Sequence, residues 1–187
     1  VGPGNAWVAA AKQRLAAVVG IDAPAGPSEL LVVADGTADS GVVAGEMIAQ
    51  AEHDPDAAVV LVTTSPDLAA TVADEFARRV PAEPRAAVVE AALKASGALL
   101  VAADLDAALA FAEAYAPEHV LLLVSEPRTA LGRVRAAGSV CLGPRSSVAF
   151  GDYATGANHV LPTGGLARSY SGLSVLDFVR WTSWQRV

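Results

Sequence analysis

The sequence predicts an α/β fold in which a mostly parallel sheet is flanked by helices. Short apolar runs alternate with helical patterns of about 10 to 15 residues, the mark of parallel βαβ units. The apolar runs, such as Leu30–Ala34 and Val120–Val124, are continuous rather than alternating, as strands covered on both faces require. Hydrophobic residues make up 53% of the 187, and many are Ala and Val, which suits helices packed closely on such a sheet.

Each element follows in order. Asn5 can cap a helix running to about Val19, with Gly20 as its stop. Glu29–Ala34 is a buried strand. Asp39 or Ser40 opens a helix through about Glu52, and Ala58–Thr63 is the second strand. Ser65-Pro66-Asp67 starts a helix that ends near Val80, with Pro at the first helical position. Another helix follows Pro84, then a third strand at Ala98–Ala102. Asp104 caps a helix to about Tyr115, and His119–Val124 is the fourth strand. Pro127–Ala137 reads as helical and Ser139–Leu142 as the fifth strand. These five strands amount to an incomplete Rossmann-like domain. From Gly143 to Gly172 the periodicity disappears and Gly, Ser, Pro and Asn accumulate; irregular stretches this long inside compact domains are usually functional. A last helix is expected from Ser174, where Asp177 has capping-box spacing, and it would carry Trp181 and Trp184.

Composition excludes several classes. Net charge is −7 with 13 scattered basic residues, which argues against a nucleic-acid partner, since such binding needs clustered Lys and Arg. No apolar run reaches the roughly 18 residues of a membrane span, and no targeting segment opens the chain, so a cytoplasmic protein is expected. A single cysteine, Cys141, fits a reducing compartment and sits in a strand pattern as a small buried hydrophobe. The start at Val1 rather than Met suggests that something precedes it.

Several residues could carry chemistry. Gln50 and His53, three apart at a helix end, face the same way and could ligate a metal; beside Glu52, Asp54 and Asp56 they could equally belong to a solvated helix end. Glu118-His119 joins a carboxylate base to an imidazole shuttle. Its place at a strand start is unusual, because parallel α/β folds bind ligands at the carboxyl ends of strands. Either the pair lies in the preceding loop, where neighbours can converge, or the strand begins later; a plain helix-to-strand connector is the competing reading. Asp152, Asn158 and His159 lie on the Gly-punctuated run 151–163, a fair place for a metal or substrate site. All three histidines of the chain fall in these segments. Gly2-Pro3-Gly4-Asn5 opens a helix as a phosphate-binding turn can, without the full dinucleotide fingerprint. Ser28, in the stiff run 23–29, is a contact residue or a turn former.

Val-Gly-Pro-Gly-Asn-Ala at 1–6, Ala-Gly-Pro-Ser-Glu at 25–29, Gln-Ala-Glu-His at 50–53, Pro-Glu-His at 117–119 and Gly-Asp-Tyr through Pro-Thr at 151–163 together resemble the histidinol dehydrogenase family, in order and along essentially the whole chain. The resemblance implies oxidation of L-histidinol to L-histidine in two successive NAD-dependent steps through an aldehyde, by a homodimer with one zinc ion per site. It implies that Gln50, His53 and Asp152 are zinc ligands, Glu118 the base that activates water, and His119 the proton shuttle. Ser28 and His159 would contact substrate and Asn5 would contact NAD. Residues 1–27 would end a cofactor-binding segment, 28–168 would form the Rossmann-like zinc and substrate domain, and 169–187 would begin a C-terminal helical segment. Family members are more than twice as long. Their C-terminal region adds a His ligand to zinc and a substrate-binding Glu, and it reaches into the partner's site. Nothing after Ser169 here is His or Glu, so the chain is expected to be an internal piece with an incomplete site. Two other readings stay open. One is a relative with the same zinc core acting on another small alcohol, distinguished by the loop 145–150. The other is a metal-binding or assembly module without turnover.

Overall fold

The computed structural model describes residues 6–153 and 155–187, without the side chains of Ala6 and Asp152. Five parallel strands form one sheet in the order β3-β2-β1-β4-β5: β1 Glu29–Ala34, β2 Ala58–Thr63, β3 Gly97–Val101, β4 His119–Leu123 and β5 Ser139–Leu142. The expected parallel α/β architecture is therefore present. Strand bounds agree with the apolar runs to within one residue; the central strands β2, β1 and β4 are almost wholly buried, whereas the edge strands β3 and β5 are only partly so.

Two cores lie on opposite faces of the sheet. Alternate residues of β1 divide between them: Leu30, Val32 and Ala34 join Met47, Val72 and Val89, whereas Leu31 and Val33 join Leu109, Ala112 and Leu122. The first face is covered by α2 (Ser40–Ala51), α3 (Pro66–Arg79) and α4 (Ala86–Ser96), the second by α5 (Leu105–Tyr115) and α6 (Pro127–Leu131). Caps fix where the helices start. Asp39, Ser65 and Asp104 each accept a backbone N–H of the first turn through their side chains, and Pro66 occupies the first turn of α3.

Three expectations change. The N-terminal helix α1 spans Ala6–Leu15 and gives way to turns before Gly20. The helix expected to Ala137 stops at Leu131, where Gly132 follows and the chain turns toward β5. Ser174 and Asp177 form the expected capping box, but it closes only a 3-10 turn, Val175–Phe178, and Trp181 and Trp184 stand exposed beyond it. A capping box satisfies the first turn only; helices this short need a packed apolar face to persist. Among the described residues, no helix is long and apolar enough to cross a membrane.

Candidate active site

The two edges of the sheet differ. At the carboxyl end, between β1 and β4 where strand order reverses, lies the Asp35 carboxylate. It accepts the Ser125 N–H at 2.7 Å and the Thr37 N–H at 2.9 Å. Parallel α/β folds ordinarily place ligands at that edge. Here the predicted residues gather at the amino end instead.

The route there is set by chain direction. Helices α2 and α5 run back against the strands, so their last residues arrive at the amino edge of the sheet. Gln50 lies in the last turn of α2 and His53 just beyond it. Helix α5 ends in Ala116, a buried alanine in the left-handed conformation (φ 52°), which turns the chain into Pro117-Glu118 and then β4. Such a conformation costs a non-glycine residue of order 1 kcal/mol. Glu118 sits in the loop and His119 is the first strand residue, so the pair straddles the boundary and both side chains reach one cavity.

That cavity, of about 270 Å³, is lined by Ser28, Gln50, His53, Glu118, His119 and His159, together with Glu46 and apolar groups from Ala25 to Leu161. Six of the eight predicted site residues thus meet, from four separate stretches of chain. Asn5 and the side chain of Asp152 lie outside the described residues. The three histidines of the chain all line this one cavity.

Local geometry suits proton transfer and metal ligation. Glu118 is buried, and its Oε1 lies 3.8 Å from His119 Nε2, beyond hydrogen-bond range. Its Oε2 accepts the Glu29 N–H at 2.9 Å. Glu29 in turn accepts the N–H of Glu118 at 3.2 Å and of Gly164 at 2.9 Å. Burial pushes the Glu29 carboxyl above its ordinary value, and these backbone donors only partly offset the effect. His53 Nδ1 lies 3.0 Å from the carbonyl of Ala49, which fixes the proton on that nitrogen and leaves Nε2 with its lone pair. The Gln50 side chain is 5% exposed, faces the cavity and makes no protein hydrogen bond among the described residues. An imidazole nitrogen and an uncommitted buried amide form a donor pair compatible with zinc. No group of three His, Cys, Asp or Glu is arranged for a metal among the described residues.

The irregular stretch 143–172 supplies the cavity's outer wall. Asn158 is a tie rather than a ligand: its Oδ1 accepts the Val160 N–H and its Nδ2 donates to the Leu173 carbonyl, each at 2.7 Å. This holds His159 at the mouth. Thr163 Oγ1 accepts the Gly26 N–H at 2.6 Å and ties the stretch to the turn before Ser28.

Sequence reasoning missed Glu46, which lines the cavity and accepts the Val148 N–H at 3.2 Å. The available signal was spacing: residues 46 and 50, four apart, share one face of α2, and His53 follows at its end. Cys141 is half-buried against the first core, and burial raises its thiol above the ordinary value, consistent with a packing role.

A sequence model of the histidinol dehydrogenase family matches residues 1–187. Histidinol dehydrogenase of Haloarcula marismortui is 52% identical over 188 residues, covering 100% of this chain and 44% of that protein. That of Methanothermobacter thermautotrophicus is 48% identical over 187 residues, again covering 100% and 44%. The crystal structure of histidinol dehydrogenase from Elizabethkingia anophelis superposes with a TM-score of 0.89 at 41% identity, covering 94% of this chain and 41% of that one. The chain thus spans less than half the length of these relatives.

Proposed function

The chain belongs to the histidinol dehydrogenase family, and from that premise we propose that its cavity is the zinc- and NAD-dependent site that oxidises L-histidinol to L-histidine through the aldehyde. The observation that carries this reading is the convergence of Ser28, Gln50, His53, Glu118, His119 and His159 on one cavity.

Each residue then has a task. Gln50 and His53, with Asp152, would hold the zinc ion. Bound zinc would supply a template for the imidazole and amino group of the substrate. Bound NAD would supply the hydride acceptor, with Asn5 as one contact. Ser28 and His159 hold the substrate. In the first oxidation His119 takes the hydroxyl proton as the carbinol C–H leaves as hydride. In the second, Glu118 takes a proton from water, the hydroxyl adds to the aldehyde carbon, and loss of a second hydride to a second NAD leaves the carboxylic acid, which releases its proton to give the carboxylate. Proton transfer of this kind is worth about 10² to 10⁴ in rate.

The division into 1–27, 28–168 and 169–187 is part of this proposal, as are a homodimeric active form and a cytoplasmic location. The 187 residues alone are proposed not to turn over substrate, because Glu118 and His119 help only when substrate and nicotinamide are both held at reacting distance. A second reading, oxidation of another small alcohol, draws support from the loop 145–150, which lines a second cavity of about 450 Å³ sharing His119 and Val148 with the first.

Because every histidine lines the cavity, each imidazole C–H resonance reports on the site. Zinc followed by L-histidinol should shift all three ring signals. Zinc shifts without a histidinol response would favour the second reading, and no response to either would contradict both.

A further inference from the structure

We propose that Glu29 is the positioning residue of this cavity, a carboxylate that fixes the Glu118 base and the wall carrying His159 by accepting a backbone N–H from each. Glu29 does not line the cavity, so it acts through others. Its two oxygens serve two segments far apart in sequence. Oε2 accepts the Glu118 N–H at 3.2 Å, and Oε1 accepts the Gly164 N–H at 2.9 Å. The exchange with Glu118 is reciprocal, since Glu118 Oε2 accepts the Glu29 N–H at 2.9 Å. Glu29 therefore knots three segments, each bearing a cavity residue: the start of β1 with Ser28, the start of β4 with Glu118 and His119, and the run that follows His159.

Two N–H donors pointing at two different oxygens need a group that only accepts. An amide presents one oxygen and one NH₂, so it would leave one backbone donor facing another donor. Burial raises the Glu29 carboxyl. A group carrying that cost at the base of the site is explained by what it holds in place.

The proposal rests on Glu118 being the base, and the experiment separates the two ideas. Amide hydrogen exchange on the 187-residue chain needs no ligand. The Glu118 and Gly164 amides should be protected in the wild type, although they lie in loops. Glu29→Gln should release at least one of them, leaving Val32 and Leu61 in the sheet core as slow as before. In the longest reading frame that contains this chain, Glu29→Gln should lower kcat for aldehyde oxidation by about tenfold or more, part of the 10² to 10⁴ expected of a base, with KM for the aldehyde nearly unchanged. Unprotected wild-type amides, protection unaltered by Glu29→Gln, or, where Glu118→Gln does impair the aldehyde step, an unaltered kcat would each overturn the proposal. If Glu118→Gln leaves the aldehyde step intact, the base assignment fails, and amide exchange alone still decides whether Glu29 is the knot.

Discussion

His53 turns its Nδ1 toward the carbonyl of Ala49, one helical turn back, at 3.0 Å. That contact selects the tautomer in which Nε2 can ligate a metal. The expected consequence is zinc affinity that depends on His53. With an amide as its neighbour in the donor set, the site should bind zinc more weakly than a closed four-ligand structural site. Calorimetry with zinc should show binding to the wild-type chain and none to His53→Ala. Affinity unchanged in that variant would remove His53 and Gln50 from the ligand set.

Gly138 should prove intolerant of a side chain. A Cβ there would lie 2.6 Å from the Glu118 carbonyl oxygen and 3.2 Å from Leu161 Cβ. The Ser139 N–H donates to that same carbonyl at 2.8 Å, so the clash falls on the backbone that carries the Glu118 side chain. Gly138→Ala should cost about 1–3 kcal/mol, as overpacking does, and should speed exchange of the Ser139 amide. Gly132→Ala meets only Thr129 O at 3.7 Å and serves as the neutral control. Equal urea midpoints for the two variants would contradict the close approach.

Asp35 makes stability fall in acid. Burial raises its carboxyl, but hydrogen bonds from Thr37 and Ser125 outweigh this and hold it below its ordinary value. A depressed carboxyl contributes stability above the unfolded value of about 3.9 and loses it as pH falls through the lower folded value. Asp35→Asn should therefore flatten the acid limb of a stability profile measured by urea melts below about pH 5. A limb of unchanged slope would show that the carboxylate at the carboxyl edge contributes nothing.

The centre of the sheet was legible because its strands are buried on both faces: Leu30–Val33 and Val120–Leu123 are apolar without a break, and all are buried. Helix starts were legible where a side chain caps them, at Asp39, Ser65 and Asp104. Helix ends were harder. Gly132 stops α6 early, and Ser174 begins no lasting helix, because persistence depends on packing that no local pattern reveals. The candidate site residues stood out as separate short motifs, yet nothing local says that they converge. Glu46 reads as a helix-surface acid until Val148 is seen above it. Glu29 reads as the first residue of a strand, because its partners lie 89 and 135 positions away.

The isolated 187-residue chain, given zinc, NAD and L-histidinol, is expected to form no NADH at a useful rate, while the longest reading frame containing it should. Absorbance at the NADH band decides this. Robust turnover by the isolated chain would contradict the view that orientation of substrate and nicotinamide depends on further groups.

The most direct test of the account compares the two oxidations in that longest reading frame, with NADH formation followed from L-histidinol and, separately, from the aldehyde. His119→Asn should cripple the alcohol step. Glu118→Gln should depress the aldehyde step far more than the alcohol step, by up to the 10² to 10⁴ or so that a general base contributes. Equal loss in both steps for Glu118→Gln would contradict its role as the base that activates water.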